Sequence, residues 1–263
     1  MTTAVPARLL HRREIECRLV PARRLRDLES AREFLRDRGM LTVLPSCSLP
    51  SLFGSTEPPA DMSKRGWARW PPDIWWWDNA LAEHDGVAWL KILGGKGVYV
   101  DERLFPVLDP LCRDALRRAE DGELGGAAAR LVDHLRAAGP TQLDDLKAEL
   151  GLGAKELQAC RRRLEPLGAI TNRSVELPAA NGGHRHTGEL WRWDHIEPRV
   201  SPISLRAARA DLLVAAVRAA VVAPDTEAAA KWFGAPVPAG LVDECVADGR
   251  LVRPAMGWLS APE

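Results

Sequence analysis

The stretch GAKELQACRRRLEPLGAITNRSVELPAANGGHRHTGELWRWD, residues 153–194, decides the fold. Apolar residues recur at helical spacing in its first half and predict one inward-facing stripe: Leu157, Cys160, Leu164 and Leu167. Gly168 follows the last turn, where glycine often takes the left-handed conformation that ends a helix. Two strand-like runs then flank Asn181-Gly182, a dipeptide typical of hairpin turns. The stretch therefore predicts a helix that leads into a β-hairpin.

Two more helices precede this stretch. The sequence predicts one at roughly 124–138, closed by Gly139-Pro140. The next begins after Thr141, which we expect to be its N-cap, and its apolar face carries Leu143, Leu146 and Leu150. Three helices followed by a hairpin are typical of a winged helix-turn-helix. We interpret the region as one such unit.

The same helix–glycine–strand pattern occurs three times along the chain. Its copies are LRDRGMLT at 35–42, LEPLGAIT at 164–171 and the shorter VADGRLV at 246–252. We therefore predict a mainly α protein with small β-hairpins, an α+β fold of tandem winged helix-turn-helix units. We expect an N-terminal winged-helix-like unit with a Pro/Trp-rich loop and a hairpin, a central winged helix and a C-terminal winged helix, over residues 1–118, 119–200 and 201–263.

Element boundaries follow from the same signals. The elements expected in the N-terminal unit are a helix at 28–38, the strand 41–44 and a hairpin with strands 87–93 and 97–100. The strands expected in the central unit are 169–177 and 189–194. The elements expected in the C-terminal unit are helices at 205–222, after Asp225-Thr226 and near Pro238, and short strands at 251–252 and 257–259.

Residues 45–78 combine six prolines with five of the ten tryptophans. That density of proline disfavours a long helix, and so many aromatic residues disfavour disorder, so we expect an ordered loop. The tryptophans are Trp67, Trp70, Trp75, Trp76 and Trp77. Packing between domains is the favoured interpretation, and stacking on unpaired or extruded bases is the alternative. Trp191 and Trp193 alternate along the returning strand and are expected on one face.

Composition bounds the class of protein. The net charge is zero, although residues 1–40 hold ten arginines against six acids, so we expect modest, salt-sensitive affinity for DNA. The five cysteines are scattered singly, which predicts small buried hydrophobes rather than a zinc site or a disulfide scaffold. No long apolar run or secretory signal stands out, so we expect a cytoplasmic protein without membrane association, cofactor or metal.

Basic residues of the central unit are the candidates for DNA contact. Those we select are Lys155, Arg161 and Arg162 on the third helix, Arg173 on the outgoing strand, and His184, Arg185 and His186 near the hairpin tip. The tip has two other interpretations, a solvated loop or a metal shared by its histidines. For the arginines the alternative is a favourable interaction with the C-terminal end of their own helix.

Common enzymatic motifs are missing from the sequence. It contains no nucleotide-binding GxGxxG, no P-loop, no GxSxG and no HExxH. The run Gly94-Gly95-Lys96-Gly97 resembles a phosphate loop in composition, but it lies between two strand-like runs and is interpreted as a hairpin turn.

Two short motifs, GMLTVLP at 39–45 and LPSLF at 49–53, resemble the AlkZ/YcaQ-type bacterial DNA glycosylases, as does the tandem winged-helix order. The resemblance covers roughly residues 25–263. It implies three winged-helix units arranged around DNA, and an enzyme that excises bulky alkylated purines or unhooks interstrand crosslinks.

The resemblance also places the family's catalytic motif, Gln-Φ-Gln or Gln-Φ-Asp, on Thr42-Val43-Leu44. Thr42 is therefore the catalytic candidate, since its hydroxyl could hold a water, whereas Leu44 cannot stabilise the cationic sugar that forms during cleavage. Two explanations remain open. The chain is either a non-catalytic branch that retains DNA binding, or another carboxylate takes over, and the acids available nearby are Glu57, Asp61, Asp73 and Asp78.

The sequence thus predicts a monomeric DNA-binding protein related to DNA glycosylases, acting in repair of, or resistance to, alkylated or crosslinked DNA. Its partner would be double-stranded DNA, damaged or not, and any activity would be hydrolysis of the N-glycosyl bond. One alternative is a ligand-responsive winged-helix transcription regulator, in which the Trp-rich segment forms a small-molecule pocket and the protein dimerises. A second is a non-catalytic protein-interaction scaffold, which the zero net charge would suit.

Overall fold

Helices alternate with short strands in the computed structural model, which describes residues 4–59, 63, 70, 72–178, 184–226 and 237–262. The helices are α1 (Ala7–Glu16), α2 (Leu28–Arg38), α3 (Pro72–Ala82), α4 (Phe105–Glu120), α5 (Gly126–Ala138), α6 (Leu143–Leu150), α7 (Ala154–Leu164), α8 (Trp193–Ile196), α9 (Leu205–Ala220) and α10 (Leu241–Ala247). The strands are β1 (Met40–Thr42), β2 (Val87–Leu93), β3 (Lys96–Asp101), β4 (Thr141–Gln142), β5 (Ile170–Pro178), β6 (His184–Arg192), β7 (Val222–Pro224), β8 (Val252–Ala255) and β9 (Trp258–Ser260).

The strands form three small antiparallel sheets with the same topology. Their strand orders are β1-β3-β2, β4-β6-β5 and β7-β9-β8. In each sheet the last two strands make a hairpin, and an earlier strand pairs with the final one. Helices separate these strands along the chain, which confirms the predicted α+β fold with small hairpins. The winged-helix interpretation of the units stays a prediction.

Local signals explain the N-terminal helix and strand. Asp27 caps α2, because its carboxylate accepts from the backbone N–H of Ser30 while Ser30 Oγ accepts from the backbone of Asp27. Gly39, at φ 78°, ends the helix in the left-handed conformation. β1 follows at once, with Met40 opposite Val100 on β3.

The predicted N-cap of α6 is wrong. Thr141 lies in β4 opposite Leu190 of β6, and its hydroxyl donates to the carbonyl of Gly139 rather than to the helix. Gln142 precedes α6 and makes no side-chain cap. The extended backbone that pairs with β6 takes Thr141 out of the capping position.

The predicted strand partnership of Trp191 and Trp193 is also wrong. β6 ends at Arg192, and Trp193 begins α8, where it is fully buried and donates from its indole N–H to Asp109. Trp191 stays on β6, half-buried, with the guanidinium carbon of Arg173 4.3 Å from its ring centroid. The two indoles therefore belong to different surroundings.

The sequence predicted an ordered loop over the whole Pro/Trp-rich segment, and this prediction is wrong for the end of the segment. Its last residues enter α3, an eleven-residue helix that carries Trp75, Trp76 and Trp77. Pro72 is the first residue of α3, a position where the missing N–H of proline costs no helical hydrogen bond. Proline here starts a helix instead of preventing one.

The C-terminal unit departs from prediction at its first helix. α9 ends at Ala220, because Val221 has φ 68° and the chain continues as β7, a strand that the sequence did not predict. Several predicted features lie outside the described residues: Asp61, Trp67, the hairpin tip 179–183, and Trp232 and Phe233.

One apolar core runs through all three regions. It includes Leu90 of β2, Leu131 of α5 and Leu213 of α9. The predicted boundary after residue 118 falls inside α4, whose inner face belongs to this core. A second, smaller core lies between α2, α3 and the first sheet, and it includes Phe34, Ile74 and Tyr99.

The sequence predicted that the cysteines are small buried side chains and that the protein has no membrane-spanning segment. Cys17, Cys112, Cys160 and Cys245 are buried and Cys47 is half-buried, each as a free thiol. Among the described helices, no span is both long and apolar enough to cross a bilayer.

Candidate functional site

A cleft opens between α3 and the β5–β6 hairpin. Its outer part has a volume of about 380 Å³ and is lined by Trp75, Trp76, Asn79, Ala80, Glu83, Ser174, Glu176 and His186. Its inner part, about 120 Å³, is lined by Asp78, Asn79, Ala82, Glu83, Trp89, Asn172, Arg173 and Ser174. Asn79, Glu83 and Ser174 line both parts, so the two recesses adjoin, and we name them together the α3–hairpin cleft.

Secondary-structure spacing puts these side chains on facing walls. Trp76 and Asn79 of α3, and Glu83 directly after it, follow one another at intervals of three and four and share one side of the helix, since the N–H of Glu83 still donates to the carbonyl of Asn79. On β5, Asn172, Ser174 and Glu176 alternate and share one face of the strand. His186 of β6 lies directly opposite Glu176 in the hairpin register.

Asp78 lies at the inner end of the cleft. The hydroxyl of Tyr99, a fully buried residue of β3, donates to Oδ1 of Asp78. Burial raises the pKa of Asp78 to about 7, because removing a carboxylate from water disfavours its charged form. This carboxyl group therefore exchanges a proton near neutral pH.

The four carboxylates named from the sequence have different surroundings. Glu57 is exposed and pairs with Arg24 at 3.4 Å, so it lies at the surface. Asp61 and the side chain of Asp73 lie outside the described residues. Of Glu57 and Asp78, the two whose side chains are described, Asp78 lines the cleft and Glu57 does not.

Asn172 contributes a buried acceptor without a partner. Its Oδ1 is shielded from solvent and has no hydrogen bond among the described residues. Gly188, on the neighbouring strand, leaves room for this amide, since a Cβ at that position would lie 2.2 Å from Oδ1. This oxygen therefore lies against β6 at Gly188, while Asn172 as a whole lines the inner cleft.

Aromatic side chains stand at the mouth of the cleft. Trp76 is 73% exposed and Trp75 is 39% exposed, whereas Trp70 and Trp77 pack against the second core. Trp70 also meets Phe53 edge to face, with ring centroids 5.3 Å apart. The packing interpretation therefore fits Trp70 and Trp77, and Trp76 is left facing solvent, as at binding surfaces.

Thr42, the position of the family motif, lies outside the cleft. It is 1% exposed, and its hydroxyl donates to the carbonyl of Leu44 at 3.0 Å, with the carbonyl of Pro50 at 3.3 Å. These contacts hold the chain between β1 and the turn at Ser51, which bridges back to Thr42. The hydroxyl is engaged with this chain's own backbone.

The arginines predicted on the third helix separate into two environments. Arg161 is 13% exposed and pairs with Glu165, with 2.7 Å between Nε and Oε1, and Lys91 lies 2.8 Å from the other oxygen of Glu165. Arg162 and Lys155 are exposed, and neither has an ion pair among the described residues. Because these two lie seven positions apart on α7, they share one face, away from the cleft.

The hairpin candidates are likewise divided. Arg173 lines the inner cleft, where burial lowers its pKa while Glu189 acts in the opposite direction. His186 is exposed and lines the outer cleft. The side chains of His184 and Arg185 lie outside the described residues.

Several cleft residues escaped the sequence analysis. Asn79, Trp89 and Asn172 come from three separate elements, Glu83 directly follows α3, and no motif links them to one another or to Tyr99, which contacts Asp78 from beneath the cleft. The helical spacing on α3 would have indicated Asn79 and Glu83 if that helix had been predicted. No group of three or more metal-ligating side chains occurs among the described residues.

Comparison with known proteins gives one match. The family model described as AlkZ related matches residues 25–194, which include β1, α3 and the whole β5–β6 hairpin. No curated protein and no solved structure gives a significant match.

Proposed function

Since this chain belongs to the AlkZ-related family, we propose that it is a DNA-repair protein of the glycosylase type. It binds damaged double-stranded DNA as a monomer and takes the damaged base into the α3–hairpin cleft. One observation carries the proposal: a solvent-facing tryptophan, Trp76, stands at the mouth of a cleft whose inner end holds a partly buried acid, Asp78.

The cleft suits an extruded base in shape and chemistry. Proteins that act on a base inside a duplex must first turn it out of the stack, which costs a few kcal/mol. Stacking on an aromatic side chain returns about 1–3 kcal/mol, and Trp76 is free of the core and available for it. The volume of the outer part, about 380 Å³, lies within the range of small-molecule pockets.

Charge favours a cationic base. Besides Asp78, the acids Glu83 and Glu176 line the cleft, and the basic side chains there are Arg173 and His186. Alkylation of a purine ring nitrogen gives the base a positive charge, which nearby carboxylates attract more strongly in a partly buried site than in water. Alkylated purines are therefore the lesions that this cleft would hold best.

The duplex would be held by surfaces outside the cleft. The hairpin continues beyond His186 toward its tip, where Arg185 and His184 lie in the sequence. Lys155 and Arg162 form a basic face on α7 that suits phosphate contacts. In this proposal the three regions 1–118, 119–200 and 201–263 act as winged-helix units along the DNA.

Binding of a duplex with one N7-methylguanine, measured by fluorescence anisotropy at low salt, tests the proposal. Replacing Trp76 with alanine should weaken binding to the damaged duplex by about 1–3 kcal/mol, at least roughly fivefold in Kd, and leave the undamaged duplex nearly unaffected. Val200, which is also 73% exposed, provides the matched control V200A. Equal loss of affinity for both duplexes, or no binding to either, would contradict base capture.

A ligand-responsive regulator is the second candidate, and the volume of the cleft favours it. In that case a small molecule would occupy the cleft, and the protein would bind one DNA sequence as a dimer. Selection from a random duplex pool separates the two functions, because a repair protein enriches no sequence. A protein-interaction scaffold would instead show binding that salt does not weaken.

A further inference from the structure

We propose that Asp78 is the catalytic acid for release of uncharged damaged purines, and that Tyr99 positions its carboxyl group. This inference rests on the proposed function, because it requires an extruded base in the α3–hairpin cleft. It adds a reaction and a substrate class to that function, since an uncharged base needs a proton donor that a cationic base does not.

Geometry presents one carboxyl oxygen to the ligand. The hydroxyl of Tyr99 donates to Oδ1 and also lies 3.5 Å from the backbone carbonyl of Asp78, and no other hydrogen bond to the carboxyl group occurs among the described residues. Oδ2 is therefore left to carry the proton. Tyr99 is itself fully buried within the second core, so its ring is fixed and with it the orientation of Asp78.

The surroundings of Asp78 contain few charges that could set its ionisation. The charged side chains along the cleft are Glu83 directly after α3, Arg173 on β5, and Glu176 and His186 on the hairpin. Lys91 of β2 lies over the ring of Trp89, and Arg32 and Arg36 of α2 line a different recess with His84 and Asp85. None of them pairs with Asp78 among the described residues, and burial alone raises its pKa to about 7.

The proposed step balances in protons and electrons. As the bond from C1′ to the base breaks, its electron pair leaves with the base, and the Asp78 carboxyl donates its proton to a purine ring nitrogen. The sugar becomes an oxocarbenium ion. Water then attacks C1′ and returns a proton to Asp78, so the products are the neutral base and an abasic site.

Other cleft residues suit recognition of a neutral purine. Trp89 gives the inner cleft an aromatic wall, and the uncharged side chains of Asn79, Asn172 and Ser174 also line it. A neutral base also fits beside a protonated Asp78 without an unbalanced buried charge.

Single-turnover base release tests the proposal with two duplexes, one holding ethenoadenine, which is uncharged, and one holding the cation N7-methylguanine. D78N should slow release of ethenoadenine by roughly a hundred- to ten-thousand-fold, the usual contribution of a general acid, and slow N7-methylguanine release less than about tenfold. The wild-type rate on ethenoadenine should fall as pH rises above about 7, and that fall should be absent in D78N.

Y99F separates positioning from structure. Because the lost hydroxyl stabilises the ionised form of Asp78, the pH at which the rate falls should move upward in Y99F. D85N is the matched control, since Asp85 is exposed on the turn after α3 and outside the cleft. Its rates on both duplexes should equal those of the wild type, and melting curves verify that each variant folds.

Three results would overturn the inference. Equal loss on both substrates in D78N would show that Asp78 does not act as an acid. An unchanged pH profile in Y99F would remove the positioning role. Binding of the damaged duplex without release of either base would refute catalysis while the proposed function stands, whereas absence of binding would refute that function itself.

Discussion

Arg38 and Ala219 lie 181 positions apart in the chain and meet at 3.2 Å, from Nε to the carbonyl oxygen. The same guanidinium donates to the carbonyl of Arg218, and Arg13 donates to the carbonyl of Ala220 at 2.6 Å. These carbonyls belong to the last turn of α9, where the helix dipole attracts cations. Two arginines of the N-terminal region thus cap a helix of the C-terminal region.

Removal of this cap should destabilise the whole chain. R38A removes the guanidinium donor from two carbonyls of α9 and one partner from Glu16, and we expect a loss of about 1.5–3 kcal/mol in the free energy of unfolding. Urea denaturation measures it. R36A is the control, because Arg36 is exposed on the same helix and should change stability by less than about 0.5 kcal/mol. Equal effects of the two variants would remove the capping role.

Asp109 is expected to be the most sensitive buried acid. It is fully buried on α4 and accepts from the indole of Trp193, from Nε of Arg113 and from the backbone N–H of Ser201. D109N removes the charge that Arg113 faces and should cost about 3–5 kcal/mol, measured by thermal unfolding. D114N alters a surface pair on the same helix and should cost less than about 1 kcal/mol. A loss of less than about 1 kcal/mol in D109N would mean that the charge of Asp109 is not needed by its hydrogen-bond partners.

The three helix-ending glycines could be predicted from the sequence, and Gly39, Gly168 and Gly249 all have positive φ values, at 78°, 75° and 70°. The reason is local, since each glycine ends a helix and precedes a strand or extended segment. The predictions that proved wrong concern elements that depend on contacts between distant parts of the chain. Trp75–Trp77 are consecutive aromatic residues without helical periodicity, so α3 could not be recognised from the sequence. The prolines before it favoured a loop instead of a helix.

The cleft could not be predicted from the sequence either, because it also depends on contacts between distant parts of the chain. Asp78 was named among four carboxylates, but its distinction depends on Tyr99, which the β1-β3-β2 sheet places beneath α3. Arg161 could not be told apart from Lys155 and Arg162 by sequence, because its difference is a pairing with Glu165, one turn later on the chain. Its contact with DNA stays a prediction.

Asp78 should also leave a signature in stability against pH. Its pKa is raised in the folded chain from 3.8 to about 7, so the folded state holds a proton that the unfolded state releases. The stability that this provides is complete below pH 4 and declines as pH rises to about 7. Urea titrations of the wild type and D78N between these limits measure the difference. The free energy of unfolding of D78N should lack this part of the decline with pH. Parallel curves for the two proteins would contradict the raised pKa of Asp78.

The face formed by Lys155 and Arg162 on α7 gives the sharpest test of the duplex surface. Neither side chain has an ion pair among the described residues, so each can neutralise a phosphate without losing a partner. K155A and R162A should each weaken binding to damaged and undamaged duplexes alike, and lower the slope of log Kd against log salt by about 1. Arg161 is the matched control on the same helix. Its guanidinium faces Glu165 instead of solvent, so R161A should reduce stability and leave the salt slope unchanged. A slope that changes in R161A and not in R162A would place the duplex on another surface.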